Sequence, residues 1–330
     1  MMFAPLPSRT DPDAAIRSTD DDAAQSRLSA VRKGYLKDPF IHLLVPRAHL
    51  APSRPPLINI GTFLRSQSID ALVQSWITSK PQGKSVQIVS LGAGTDTRFW
   101  RLSEGPLRDR ISKYIEIDFP EVTGRKAMSI LKSPALRAAV GNDARIEKGG
   151  TDLSASVYNL LSADLRRDLV QLYAALLSLL SPDQPTIVVA ECIFPYVDPS
   201  TSTQVLQWFT GTFPEVGAIV YEMFNLEDSF GQVMRANMKD RSIDLCGVGA
   251  YPTLESHRQR LLTAGFSFAQ ARTLKDIRIS CVSQSGLDRM SRLEWLDELE
   301  ELELVLGHYS VCWGWKVPDR LTPWDLDEFP

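Results

Sequence analysis

Gly92, Gly94, Asp118, Asp164 and Glu191 are the residues whose types and spacing could do chemistry in this chain. The two glycines end an apolar run, Val86 to Leu91, that is short and β-branched enough to be a strand buried on both faces. Lacking a Cβ, they let the backbone turn sharply out of a sheet and let a ligand approach it closely. Thr97 stands where a dinucleotide fingerprint would place its next glycine, and no Gly-Lys-Ser/Thr ending follows to cradle phosphates. A second run, Lys113 to Ile117, ends in Asp118 about 25 residues beyond the turn, the separation of consecutive strand ends in a βαβ unit. A carboxylate at that point can accept both hydroxyls of a ribose. A glycine turn and a strand-end acid without phosphate chemistry suit a nucleoside, and S-adenosylmethionine is the common cofactor of that kind.

The elements that must position these residues alternate. Apolar strands are expected at Val157 to Leu161, leading into Asp164 and Leu165, and at Pro185 to Ala190, ending on Glu191. Acids at strand ends matter because open α/β sheets bind ligands there. Further strands are read at Ala218 to Tyr221, Phe266 to Ala271 and His308 to Trp315, and an acidic amphipathic helix at Arg292 to Leu306. Pro134 to Gly150 reads as an irregular connection. The expected architecture is α/β, a Rossmann-like class I S-adenosylmethionine-dependent methyltransferase fold of about seven strands. Five would be parallel and the last two a long antiparallel excursion at one edge, the last strand antiparallel. Residues 1–24, with their prolines and the Asp20-Asp21-Asp22 run, read as a disordered tail. Residues 25–330 read as a single domain, with a helical lid over about 25–80 that carries the basic Arg27 and, on a second helix, Arg65.

A chain of 330 residues that is 44% hydrophobic is an ordinary globular composition. Its 36 basic and 40 acidic residues, net charge -4, argue against a broad nucleic-acid footprint. No membrane span or leader pattern is read, so the expectation is a monomeric cytoplasmic protein, with the nucleus left open. The four cysteines and four histidines are scattered, which indicates no metal site and four buried, reduced thiols.

Several motifs together resemble one family. Ser-Ala-Val-Arg-Lys-Gly-Tyr-Leu-Lys-Asp-Pro-Phe (29–40), Ile-Asn-Ile-Gly-Thr-Phe-Leu-Arg (58–65), Leu-Gly-Ala-Gly-Thr-Asp-Thr-Arg-Phe-Trp-Arg-Leu (91–102), Ile-Asp-Phe-Pro (117–120), Ala-Asp-Leu-Arg (163–166), Ala-Glu-Cys (190–192) and Tyr-Glu-Met-Phe-Asn-Leu-Glu-Asp-Ser-Phe-Gly-Gln (221–232) look like the leucine carboxyl methyltransferases. The resemblance implies methyl transfer from S-adenosylmethionine to the α-carboxylate of the C-terminal leucine of the type 2A protein phosphatase catalytic subunit. It also implies that Arg65 lies at the active site, Gly92 against the cofactor and Asp118 on the ribose. Asp164 and Leu165 would border the adenine, Glu191 would lie by the methionine end, and Arg27 stands where relatives carry a lysine contact.

An α-carboxylate with a pKa of about 3.5 is ionised at neutral pH, so its methylation needs no general base. Catalysis is then expected from positioning, with Arg65 gripping the substrate carboxylate and Tyr196 as a second donor. The alternatives are the branch of the same family that methylates a wybutosine-type tRNA guanosine, a small-molecule O-methyltransferase, and a non-catalytic binder on the same fold. The tRNA-modifying branch carries a β-propeller extension, and no such repeat is read here, which directs the expectation to the phosphatase branch.

Overall fold

Val86–Leu91 is buried at every position because helices cover the central sheet on both faces, which is why its sequence shows no polar alternation. The computed structural model describes residue 11, residues 13–317 and residues 324–329. Among the described residues nine strands are β1 (Val86–Leu91), β2 (Ile111–Asp118), β3 (Arg145–Glu147), β4 (Asp152–Ser154), β5 (Tyr158–Ser162), β6 (Thr186–Glu191), β7 (Val216–Met223), β8 (Phe268–Thr273) and β9 (Tyr309–Lys316). They form one sheet in the order β3-β4-β5-β2-β1-β6-β7-β9-β8. β5, β2, β1, β6 and β7 are parallel neighbours, as the alternating pattern predicts. The order reverses at β1, so the crevice for a ligand opens at the ends of β1, β2 and β6.

Three expectations are corrected. The last strand, β9, is antiparallel as expected, but the strand before it, β8, runs with the parallel set, because β9 inserts between β7 and β8 and opposes both. Two short strands, β3 and β4, extend the other edge within and beyond the stretch that reads as irregular. The acidic helix expected from Arg292 begins only at Leu299 (Leu299–Gly307), Arg292 and Leu293 instead ending a separate helix, Gln284–Leu293. Between them Glu294 is extended, its carboxylate drawn to Asn59 Nδ2 at 2.7 Å and Lys33 Nζ at 3.0 Å, contacts a continuous helix would forfeit.

The helix Pro56–Thr78 covers one face of the sheet with Phe63, Leu64 and Trp76, while Leu172, Leu176, Leu206 and Phe209 from two other helices cover the opposite face. A separate helix, Ala14–Arg32, lies across the end of the crevice. Residues 14–24 are therefore helical rather than disordered; residues 1–10 and 12 of the expected tail lie outside the described residues. The acidic run is ordered by arginines from three separate places. Asp21 pairs with Arg125, and Asp22 with both Arg54 and Arg241. Among the cysteines, Cys281 and Cys312 are buried thiols, whereas Cys246 is exposed, against expectation. No helix among the described residues is long and apolar enough to cross a membrane.

Candidate functional site

At the end of β1 both glycines adopt positive φ, +63° at Gly92 and +47° at Gly94, and the turn packs back onto β2. Gly92 N–H donates to Ile117 O at 2.8 Å, and Gly94 N–H to Asp118 Oδ2 at 2.7 Å. A Cβ on Gly92 would meet Ile193 at 2.9 Å, and one on Gly94 would meet Asp20 Oδ1 at 2.2 Å. The glycines thus admit the protein's own side chains on that side, while the turn itself lines a cleft of about 320 Å³. Arg27, Arg65, Gly92, Gly94, Asp118, Glu191 and Tyr196 all line this cleft, so residues from widely separated stretches of the sequence converge on one space.

Asp118 has one carboxylate oxygen on Gly94 N–H and the other on the Phe119 N–H at 2.7 Å. Burial pushes its pKa up to about 6; the two N–H donors oppose this and the neighbouring Asp20 charge adds to it. Asp20, from the helix Ala14–Arg32, accepts from Thr95 N–H at 2.7 Å and Thr95 Oγ1 at 2.9 Å. Its own pKa is raised, by burial first. Sequence reasoning missed Asp20 and Thr95, because a contact across 75 residues leaves no local signal.

Asp164 and Leu165 line a smaller adjoining recess with Gly92, Asp118 and Tyr196. The Asp164 carboxylate is engaged by its own neighbour, accepting from Arg166 Nε at 2.9 Å and Nη2 at 2.8 Å. The Leu165 N–H, by contrast, meets no acceptor among the described residues, although Leu165 is buried. That unmet donor can serve a hydrogen-bond acceptor of a ligand in the recess.

The other end of the cleft is a cationic cluster on a carboxylate frame. Arg65 Nε donates to Glu191 Oε1, and Arg98 Nη2 reaches Glu191 Oε2 at 3.3 Å. The Arg65 guanidinium lies 4.9 Å from the Tyr221 ring, which stacks on Tyr309 at 5.5 Å. Burial, the largest single influence, would lower the Arg65 pKa, but the Glu191 charge and hydrogen bond together with the Tyr221 and Cys192 groups more than offset it, so the group lies above its ordinary value and stays cationic. Among the described residues the Arg65 side chain donates through Nε alone, its two terminal nitrogens making no hydrogen bond. Arg27 is tied by Nε to Asp38 at 2.5 Å and by Nη1 to Ser66 Oγ at 3.0 Å. Asp38, which reads in sequence only as a helix break before Pro39, is a buried hub that also accepts from Thr97 and the Phe40 and Ile41 N–H groups.

Tyr196 ends a 3₁₀ turn, Phe194–Tyr196, on the cleft wall. Burial raises its pKa well above the ordinary phenol value, so its hydroxyl remains a proton donor. The same cleft also has apolar lining, contributed by Leu57, Ile58, Leu274, Val305 and Leu306. Among the described residues no group of three or more His, Cys, Asp or Glu side chains could hold a metal ion.

The leucine carboxyl methyltransferase family model matches residues 15–210. Leucine carboxyl methyltransferase 1 of Cryptococcus neoformans is 41% identical over 94% of this chain and 97% of its own length. The Bos taurus protein of that name is 36% identical over 96% and 93%. The Arabidopsis thaliana homolog is 36% identical over 91% and 89%. Among solved structures, a putative methyltransferase from Thermobifida fusca superposes with a TM-score of 0.52 at 13% identity, covering 95% of this chain and 100% of that one, a likeness of fold alone. With the family model over more than half the chain and these relatives along nearly all of it, the protein belongs to the leucine carboxyl methyltransferase family and is a methyltransferase.

Proposed function

We propose that this enzyme methylates the α-carboxylate of a protein chain ending in leucine, with S-adenosylmethionine as donor and the type 2A protein phosphatase catalytic subunit as substrate. The observation that carries the reading is the Arg65 fork: anchored by Glu191, it lines one cleft with the glycine turn and with the apolar side chains Leu57, Ile58, Leu274, Val305 and Leu306. A terminal carboxylate suits the fork, and a leucine side chain suits those apolar groups.

The donor set accommodates S-adenosylmethionine. Asp118 would take the ribose hydroxyls, the Leu165 N–H the adenine ring, and Arg27 the methionine carboxylate. When bound, the cofactor supplies a methyl group on a cationic sulfur, and its transfer to a carboxylate yields two neutral products with no proton to move.

The chain's own work is therefore to bind, aim and dry. Arg65 grips the carboxylate through its open nitrogens, and the Tyr196 hydroxyl donates to the same group. Glu191 and the Tyr221 ring hold the guanidinium plane still. Tyr221, Tyr309 and the helix Ala14–Arg32 limit water in the cleft, which favours a reaction in which opposite charges disappear.

Radiolabelled S-adenosylmethionine offered with the phosphatase subunit, intact or lacking its terminal leucine, tests the reading. Alkali-labile label that depends on that leucine is the expected result. Label indifferent to the leucine, or appearing instead on tRNA or a small acid, overturns the substrate assignment.

A further inference from the structure

Strand β7 puts Tyr221 on the cleft and, one residue on, Glu222 on the opposite side of the sheet. There Glu222 is buried, its Oε1 lying 2.8 Å from His257 Nδ1 and accepting from Arg260 Nη1 at 2.7 Å. The Arg260 guanidinium lies 4.5 Å from the Phe194 ring and 4.4 Å from the Tyr251 ring, held between two aromatic faces. Its Nε and Nη2 find no oxygen acceptor among the described residues, so the rings are what those faces of the cation meet.

Phe194 opens the same turn that Tyr196 closes. The turn's outer side is braced as tightly: Gly247 N–H donates to Pro195 O at 3.0 Å, and a Cβ on Gly247 would lie 2.1 Å from Phe194 O. Its entry is braced too, with Cys192 at φ 57° donating its N–H to Tyr221 O at 2.7 Å. The turn is thus held by backbone on two sides, and by Arg260 through the ring of its first residue.

We propose that Arg260 is a positioning residue which, by stacking on Phe194, fixes the turn so that the Tyr196 hydroxyl is presented to the substrate carboxylate. The proposal rests on the reading of Tyr196 given above. A lysine would keep a positive charge beside Glu222 and lose the planar stacking, which separates the two roles of the arginine.

Arg260→Lys, Tyr196→Phe and the double variant are to be assayed for methyl transfer to a leucine-terminated protein, with S-adenosylmethionine affinity measured alongside. Arg260→Lys is expected to lower kcat about tenfold and to leave donor affinity within about twofold, because positioning is lost and the cofactor contacts are not. In the Tyr196→Phe background the same change should cost less than about twofold, since the hydroxyl being positioned is gone. A wild-type kcat in Arg260→Lys, or an undiminished loss in the Tyr196→Phe background, overturns the proposal. Should Arg260→Lys not fold, Tyr251→Leu removes one ring and keeps the ion pair; about a threefold fall in kcat supports the proposal and no change overturns it. If Tyr196→Phe alone transfers at the wild-type rate, the Tyr196 reading fails and this proposal with it. If Tyr196→Phe is slow but Arg260→Lys is not, only the role of Arg260 fails.

Discussion

Arg65 and Glu191 are 126 residues apart in sequence and form one ion pair in the cleft, Arg65 Nε donating to Glu191 Oε1. The acid spends its charge on the arginine's inner edge and so turns the outer edge toward whatever enters. A residue expected at the cofactor's methionine end is thereby also the anchor of the residue expected to hold the substrate.

Arg65→Ala should lower the methyl-transfer rate about 100-fold while changing S-adenosylmethionine affinity far less, as removal of a charged group acting on the reacting carboxylate does. Glu191→Gln should also lower the rate, by leaving Arg65 free to rotate. Steady-state kinetics beside calorimetric cofactor titration separates the two quantities.

Asp118 carries a pH signature. Its folded pKa of about 6 lies above the ordinary value of 3.8, so its contribution to stability is full below the lower value and is lost as pH rises through the upper one. Ribose hydroxyls prefer the ionised form, so cofactor binding should pull this pKa down and release a proton near pH 6. Affinity should fall as pH drops below about 6 and lose that dependence in Asp118→Asn. Calorimetry in buffers of different ionisation heat reads the proton directly.

Gly94→Ala should unseat the helix Ala14–Arg32, because the new methyl would lie 2.2 Å from Asp20 Oδ1 at a residue whose φ is +47°. The strain of a non-glycine residue at positive φ adds about 1 kcal/mol. Faster proteolysis within residues 14–32 and about tenfold weaker cofactor binding are expected. Asp20→Ala in the same background should restore part of the loss by removing the collision.

Salt should loosen the same helix. Its acidic run is held by Arg54, Arg125 and Arg241, two of them at 3.3 Å and 3.4 Å and all at least partly exposed. Pairs of this kind are worth about 0–1 kcal/mol each and are screened within a Debye length of about 10 Å at 0.1 M salt. Hydrogen exchange at residues 14–24 should accelerate between low and high ionic strength, with the rate in β1 unchanged.

How far the site was legible differs from residue to residue. Gly92, Gly94 and Asp118 stand out because each ends an apolar run, and a strand buried on both faces leaves that pattern in sequence. Asp20 and Asp38 do not stand out: one sits in an acidic run that reads as solvated, the other before a proline that reads as a break. Their partners, Thr95 and Arg27, lie on other elements. The split at Glu294 was hidden for the same cause, since the helix pattern continues through it and only Asn59 and Lys33 draw the chain out.

The amino-acid sequence by itself determined the seven principal strands, the turn after the first of them and the acids at their tips, because hydrophobic period and glycine placement act within a few residues. Tertiary structure alone decided that Asp20 fills the space beside Gly94, that Glu191 anchors Arg65 and that Arg260 is held between Phe194 and Tyr251. Those contacts join charged and aromatic groups from distant elements, and the geometry that sets their energy exists only once the sheet and its helices are packed.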